Sequence, residues 1–100
     1  MSERPLLTLR ITPAAENDLA EIWSYIAEDA PDVATTFIEQ IADRFEPLLA
    51  FPGMGVARDQ LAPGLRAIPY KAYVIYYVAD EKTVTIVRVV HGARDVRAIF

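Results

Sequence analysis

The sequence predicts an α+β fold of order β-α-α-β-β-β, an N-terminal strand and a helical hairpin packed on a mainly antiparallel sheet. Three observations carry this expectation. A short alternating segment opens the chain, two long segments with apolar residues at helical spacing follow, and three short apolar segments joined by tight turns close it.

Residues 6–12 read LLTLRIT, with Leu7, Leu9 and Ile11 on one side and Thr8 and Arg10 on the other. That alternation is the mark of a half-buried strand. Thr12-Pro13 then starts a helix, the threonine as N-cap and the proline at the first helical position. Ala15, Leu19, Ile22, Trp23 and Ile26 form its apolar stripe, and Glu16, Asp18, Glu21 and Glu28 give it an acidic opposite side. Asp29-Ala30-Pro31-Asp32 ends that helix and caps the next, because a proline holds its preceding residue away from helical geometry. Val33, Phe37, Ile41, Phe45 and Leu48 make the second stripe, widened by Ala34, Ile38, Ala42 and Leu49. The tight turn between the two makes them an antiparallel hairpin. Pro47 removes one backbone hydrogen bond, which predicts a kink or a frayed last turn.

PGMG at 52–55 stops the second helix, and residues 52–64 show no periodicity. Loops of this length in small domains often carry function. Strands are expected at 65–70, 73–78 and 83–90. Lys71-Ala72 and the ADEK turn are short enough to make them an antiparallel meander. Pro69 suits an edge, where a missing N–H does no harm. YVIYYV, apolar on both faces, is the expected central strand, with the helices over one side.

The 100 residues are expected to form one domain, 1–100. With 53% hydrophobic and 24% charged residues, the composition is that of an ordinary globular protein. No apolar run reaches the roughly 18 residues of a membrane span, and no secretory signal opens the chain. The absence of cysteine excludes disulfides and thiolate zinc sites, and one histidine makes a poor metal site. The expectation is a soluble, cytoplasmic chain without metal or cofactor. The net charge of −4 is uneven: residues 1–50 hold three basic groups against ten acidic ones, residues 51–100 seven against four. One cationic face follows, on a chain too acidic to be a general nucleic-acid binder.

The cations of the second half are the candidate site. Arg66 shares a strand face with Ile68 and Tyr70, and Arg88 is expected on a face with Val84, Ile86 and Val90. An arginine there needs a carboxylate, Asp95 or Asp59, or else a solvent-lined groove. Arg58 and Arg97 read equally as solvated surface. His91 can serve as an acid or base near neutral pH, or simply bond the backbone of the turn at Gly92. Ser2 and Ser24, in a tail and on a helix, build no nucleophilic triad, and the glycines form no phosphate-binding pattern.

DLAEIWSYIAEDAPDVATTFIEQI, FPGMGVARDQLAPGLRAIPYKAYVIYYV and VRVVHGARD resemble, in order and over residues 11–100, the ParE toxins of bacterial type II toxin–antitoxin modules, within the RelE/ParE superfamily. The resemblance implies the β-α-α-β-β-β fold, inhibition of DNA gyrase, and neutralisation by a ParD-like antitoxin in a hetero-oligomer that meets DNA only through the antitoxin. Arg66 and Arg94 match positions that are basic across the superfamily; with Arg88 and His91 they are the expected target contacts, Arg58 and Arg66 are the expected antitoxin contacts, and no membrane contact is expected. Arg94 and Arg97 are expected on a short closing helix, beside Arg88 and Arg66, with Asp95 orienting one of them. Other superfamily members are ribosome-dependent messenger-RNA endonucleases, for which His91, Arg66 and Arg94 would be the catalytic set. Phe100, where that branch has a tyrosine, cannot donate a proton, and residues 52–64 hold no lysine. A third reading is a chain that binds an antitoxin without being toxic.

Overall fold

A computed structural model describes residues 6–100; the tail with Ser2 and Arg4 lies outside the described residues. The elements run β1 (Thr8–Ile11), α1 (Pro13–Ala27), α2 (Pro31–Asp43), α3 (Glu46–Ala50), β2 (Val56–Ala57), β3 (Arg66–Tyr70), β4 (Tyr73–Ala79) and β5 (Thr83–His91), then a 3₁₀ turn at Val96–Ala98. The sheet order is β1-β5-β4-β3-β2. β1 lies parallel to β5 and every other pair is antiparallel. The fold class is the expected one, with two short elements added.

Local chemistry accounts for most boundaries. Thr12 caps α1, its Oγ1 accepting from the Ala15 N–H at 3.0 Å, with Pro13 at the first position. α2 also opens on a proline, but its N-cap is Ala30 and no side chain of the 29–32 segment caps it. Pro47 acts as expected: α2 stops at Asp43 and the chain restarts as the separate α3, with Pro47 in its first turn. β2 was not visible in the sequence. It pairs with β3 only through Val56–Ala67 and Ala57–Arg66. Pro69 lies on β3 beyond the reach of β2, where β3 is itself the edge.

The sheet separates two apolar clusters. On the helical side Ile22, Ile41, Phe45 and Leu48 pack on Ile75, Tyr77, Val84, Ile86 and Val89. On the other side Leu65, Ala67, Tyr76 and Val90 lie beneath Leu61, Val96, Ile99 and Phe100. β4 feeds both clusters, as its two-sided apolar pattern requires. β5 changes face part-way: Tyr76 pairs with Arg88 and Tyr77 with Ile86, leaving Val87 unpaired in a β-bulge. Val84, Ile86 and Val89 therefore join the helical core while Val87 and Val90 join the second cluster. The expectation that Arg88 shares one face with Val84, Ile86 and Val90 is corrected by that bulge. Among the described residues, no helix is long and apolar enough to cross a membrane.

Thr12 has a second task at the bulge. Its hydroxyl donates to the Val87 carbonyl at 2.8 Å, so one side chain caps α1 and supplies a donor to β5. Thr12→Ala is expected to lower stability by about 1–2 kcal/mol, the upper range for a lost N-cap. Thermal unfolding should register this as a drop of roughly 4–8 °C per kcal/mol.

Candidate functional site

The expected cationic corner is built on the end of β5, and the fold divides its members. Arg88 donates from Nε and Nη2 to the two carboxylate oxygens of Asp18, both at 2.7 Å. Asp18 Oδ2 also accepts the Val89 N–H at 2.9 Å. The carboxylate is 4% exposed. Hydrogen bonding to Asp18 raises the Arg88 pKa above its usual value against the opposing effect of burial, and the charges of Asp18 and Glu21 add to the rise. Neither Asp95 nor Asp59 is the partner of Arg88, and Asp18 does not stand on a solvated acidic face. The spacing contained the clue: Asp18 lies three residues after Ala15 and four before Ile22, inside the apolar stripe.

His91 ends β5 in the exposed turn. Its Nδ1 accepts the Ala93 N–H at 3.1 Å, which places the proton of the neutral ring on Nε2, and its ring stands edge-on to Tyr73 at 5.4 Å. Arg94 is exposed in the next turn, and its backbone N–H donates to the His91 carbonyl. The two share an open cavity of about 190 Å³ with Glu21, Tyr25 and Tyr73. Arg97, rather than Arg94, sits on the closing 3₁₀ turn. Asp95 touches Arg97 Nε at 3.2 Å, a pair 83% and 63% exposed, and so worth little.

Arg66 stands apart from this corner. It lies opposite Tyr77 on the neighbouring strand, whereas His91 lies opposite Tyr73, about 13 Å away along the strand direction. Arg88 lies across β4, opposite Tyr76, which faces the other cluster from Tyr77, so the expectation that Arg66 lies beside Arg88 and Arg94 is corrected. Arg66 Nη1 donates to the carbonyls of Gly55 at 2.7 Å and Gly53 at 3.3 Å. The Tyr77 hydroxyl donates to the Pro52 carbonyl at 2.7 Å and accepts the Gly55 N–H at 2.8 Å. Residues 52–55 are thus fastened to the sheet by two side chains. A Cβ on Gly55 would fall 2.6 Å from the Tyr77 oxygen, so only glycine fits there. Among the described residues Arg58 reaches no carboxylate, and its Nη1 donates to the carbonyl of Ala57 at 3.1 Å.

A second aromatic and cationic group went unread in the sequence. Lys71 takes a positive φ of 52° in the β3–β4 turn and lies over the Phe37 and Tyr70 rings, and Arg44 lies over Tyr70 at 5.0 Å. No group of three or more metal-ligating side chains occurs among the described residues.

Residues 9–96 match the family described as the ParE toxin of the type II toxin–antitoxin system, parDE. The chain belongs to the ParE toxin family. Toxin ParE1 of Mycobacterium tuberculosis is 33% identical to it over 98 residues, 96% of each chain. The fold is shared with a chain of the chromosomal ParDE system of P. aeruginosa, at a TM-score of 0.74 and 22% identity over 86% of this chain and 96% of that one. It is also shared with a chain of the toxin–antitoxin complex RelBE2 of M. tuberculosis, at a TM-score of 0.58 and 24% identity over 87% and 99%. This chain is thus a ParE-type toxin of a type II toxin–antitoxin system. Of the set that a RelE-type nuclease reading would need, this ParE chain brings His91 and Arg94 together and leaves Arg66 elsewhere.

The Tyr77 staple yields a prediction with a definite sign. Burial raises the Tyr77 pKa above 10.0, opposed by the Gly55 N–H and the Arg66 charge. A tyrosine whose folded pKa is raised contributes stability fully below its unfolded pKa and loses it as pH rises through the folded value. Tyr77→Phe, which strands the Gly55 N–H and the Pro52 carbonyl, should cost about 1–3 kcal/mol at pH 7. Above pH ~10 the variant's stability should fall less steeply than the parent's. Urea titrations at pH 7 and at alkaline pH measure both effects.

Proposed function

We propose that this ParE-type toxin acts in the cytoplasm by inhibiting DNA gyrase through its C-terminal cationic corner, and that a ParD-type antitoxin neutralises it. The observation that carries this reading is the division of labour among the cations. Arg88 is held by Asp18 and Arg66 by backbone carbonyls. Arg94 and Arg97 instead stand exposed on a segment whose Val96, Ile99 and Phe100 pack on the sheet. Such a rigid base with outward guanidinium groups suits an anionic surface on a target, because arginine gives directional, charge-assisted hydrogen bonds. Phe100 lies against Tyr76 at 5.1 Å as an apolar plug. That contact favours binding over the proton transfers that RNA cleavage needs.

The antitoxin surface follows from what the chain leaves uncovered. Trp23, Tyr25 and Val33 on the hairpin, and Phe51, Met54 and Val56 near the sheet edge, are exposed. Clustered exposed apolar side chains mark partner sites. Arg58 and Arg66 flank the second group and would meet antitoxin carboxylates. DNA would then be reached only through the antitoxin.

Purified chain, gyrase and supercoiled plasmid test the target. The parent should inhibit supercoiling, and Arg94→Ala should raise the inhibitory concentration about tenfold or more, the value of one charged hydrogen bond. The variant's stability should stay within about 0.5 kcal/mol of the parent's. Undiminished inhibition by Arg94→Ala would reduce the corner to a solvated end. Codon-aligned messenger-RNA cuts that vanish in His91→Ala would assign the chain to the endonuclease branch instead.

A further inference from the structure

The outer edge of β2 is the terminal edge of the sheet. The Arg58 N–H donates inward to the Leu65 carbonyl at 2.7 Å. Alternation along an antiparallel strand then turns the N–H and carbonyl of Ala57 outward. That outward carbonyl is the one the Arg58 guanidinium covers. Beside it, Phe51, Met54 and Val56 are 68%, 55% and 56% exposed. They are held in place by the fastening of residues 52–55 to Tyr77 and Arg66. A preformed apolar strip next to an unpaired strand edge is the geometry that takes up an extended peptide.

Charge selects the occupant. Neither Arg58 nor Arg66 has a carboxylate partner among the described residues. Asp59, the nearest acid in the sequence, accepts the Gly64 N–H within its own loop. A second copy pairing through its own β2 would bring two more arginines to the edge, and that strand, Val56–Ala57, carries no acid. We propose that the β2 edge binds an extended acidic–apolar segment of a protein partner by strand addition, with Arg58 as its recognition gate. In the free chain the guanidinium blocks the Ala57 carbonyl, as edge charges do against unwanted pairing. An incoming carboxylate draws the guanidinium away, and the bared N–H and carbonyl then pair with the partner's backbone. The proposal rests on the reading that an antitoxin-type partner covers this chain, and it names how part of that partner is held.

The test uses the full ¹⁵N-labelled chain and a blocked octapeptide of alternating valine and glutamate, with a lysine-for-glutamate counterpart. The glutamate peptide should shift the resonances of Met54, Val56 and Ala57 and slow exchange of the Ala57 amide. The lysine peptide should not. Arg58→Ala, whose one lost side-chain bond is to its neighbour's carbonyl, should stay folded and bind the glutamate peptide about tenfold more weakly. It should also self-associate in sedimentation where the parent does not. Equal binding of both peptides, binding of neither, or shifts confined to Trp23 and Tyr25 would overturn the proposal. So would a protected Ala57 amide in a self-associated parent chain, which would give the edge to a second copy. None of these readouts involves gyrase, so peptide binding at β2 by a chain that spares gyrase would sink the target reading alone.

Discussion

The Asp18 carboxylate is the contact on which the rest of this structure depends. β1 pairs with β5 only as far as Ile86, and the backbone of β5 beyond it needs other partners. α1 provides them. The Thr12 N–H donates to the Ile86 carbonyl, the Thr12 hydroxyl to the Val87 carbonyl, and Asp18 accepts the Val89 N–H. The same carboxylate takes both donors of the Arg88 fork. One helix thus continues the edge of the sheet where the strand stops. Burying a charge is costly unless every lone pair is used, and here three donors converge on one group.

That clamp sets the geometry of the end proposed to meet the target. The bulge at Val87 turns Val90 onto the far face of the sheet, where Val96, Ile99 and Phe100 fold back over it. The turn at His91 to Arg94 is therefore anchored on both sides, by α1 through β5 and by the C-terminal residues. Arg88 belongs to this framework, its guanidinium taken up by Asp18. The cations left exposed are those the framework does not use. The other end of the sheet follows similar logic with different parts: Tyr77 and Arg66 satisfy the backbone of residues 52–55 and hold an apolar strip in place.

What the sequence revealed and what it hid divide along the range of the interactions. Thr12-Pro13 announced the start of α1 because a cap acts within three residues. Pro47 announced the break between α2 and α3 because its missing N–H is a local fact. YVIYYV announced a strand with two covered faces. The partner of Arg88 lies 70 residues away, and Asp18 counts as a solvated acid of α1 unless its place inside the apolar stripe is weighed. Val87 could not be recognised as a bulge, because a bulge is a property of the pairing and not of the strand. β2 has two residues, too few for any period. Arg66 and Arg88 seemed to converge because strand faces were read without the bulge: Arg66 lies opposite Tyr77 of the helical cluster and Arg88 opposite Tyr76 of the other, with β4 between them.

The central claim is that the Asp18–Arg88 pair organises the end of β5 and is more than a surface ion pair. A double-mutant cycle with Asp18→Asn and Arg88→Gln, read by urea unfolding, tests it most directly. The predicted coupling is about 1.5–3 kcal/mol, the range for hydrogen bonds to charged groups. Amide exchange on the Asp18→Asn variant should also show Val89 losing protection relative to Ile75. A coupling below about 0.5 kcal/mol, the level of an exposed pair, with Val89 protection unchanged, would contradict the account.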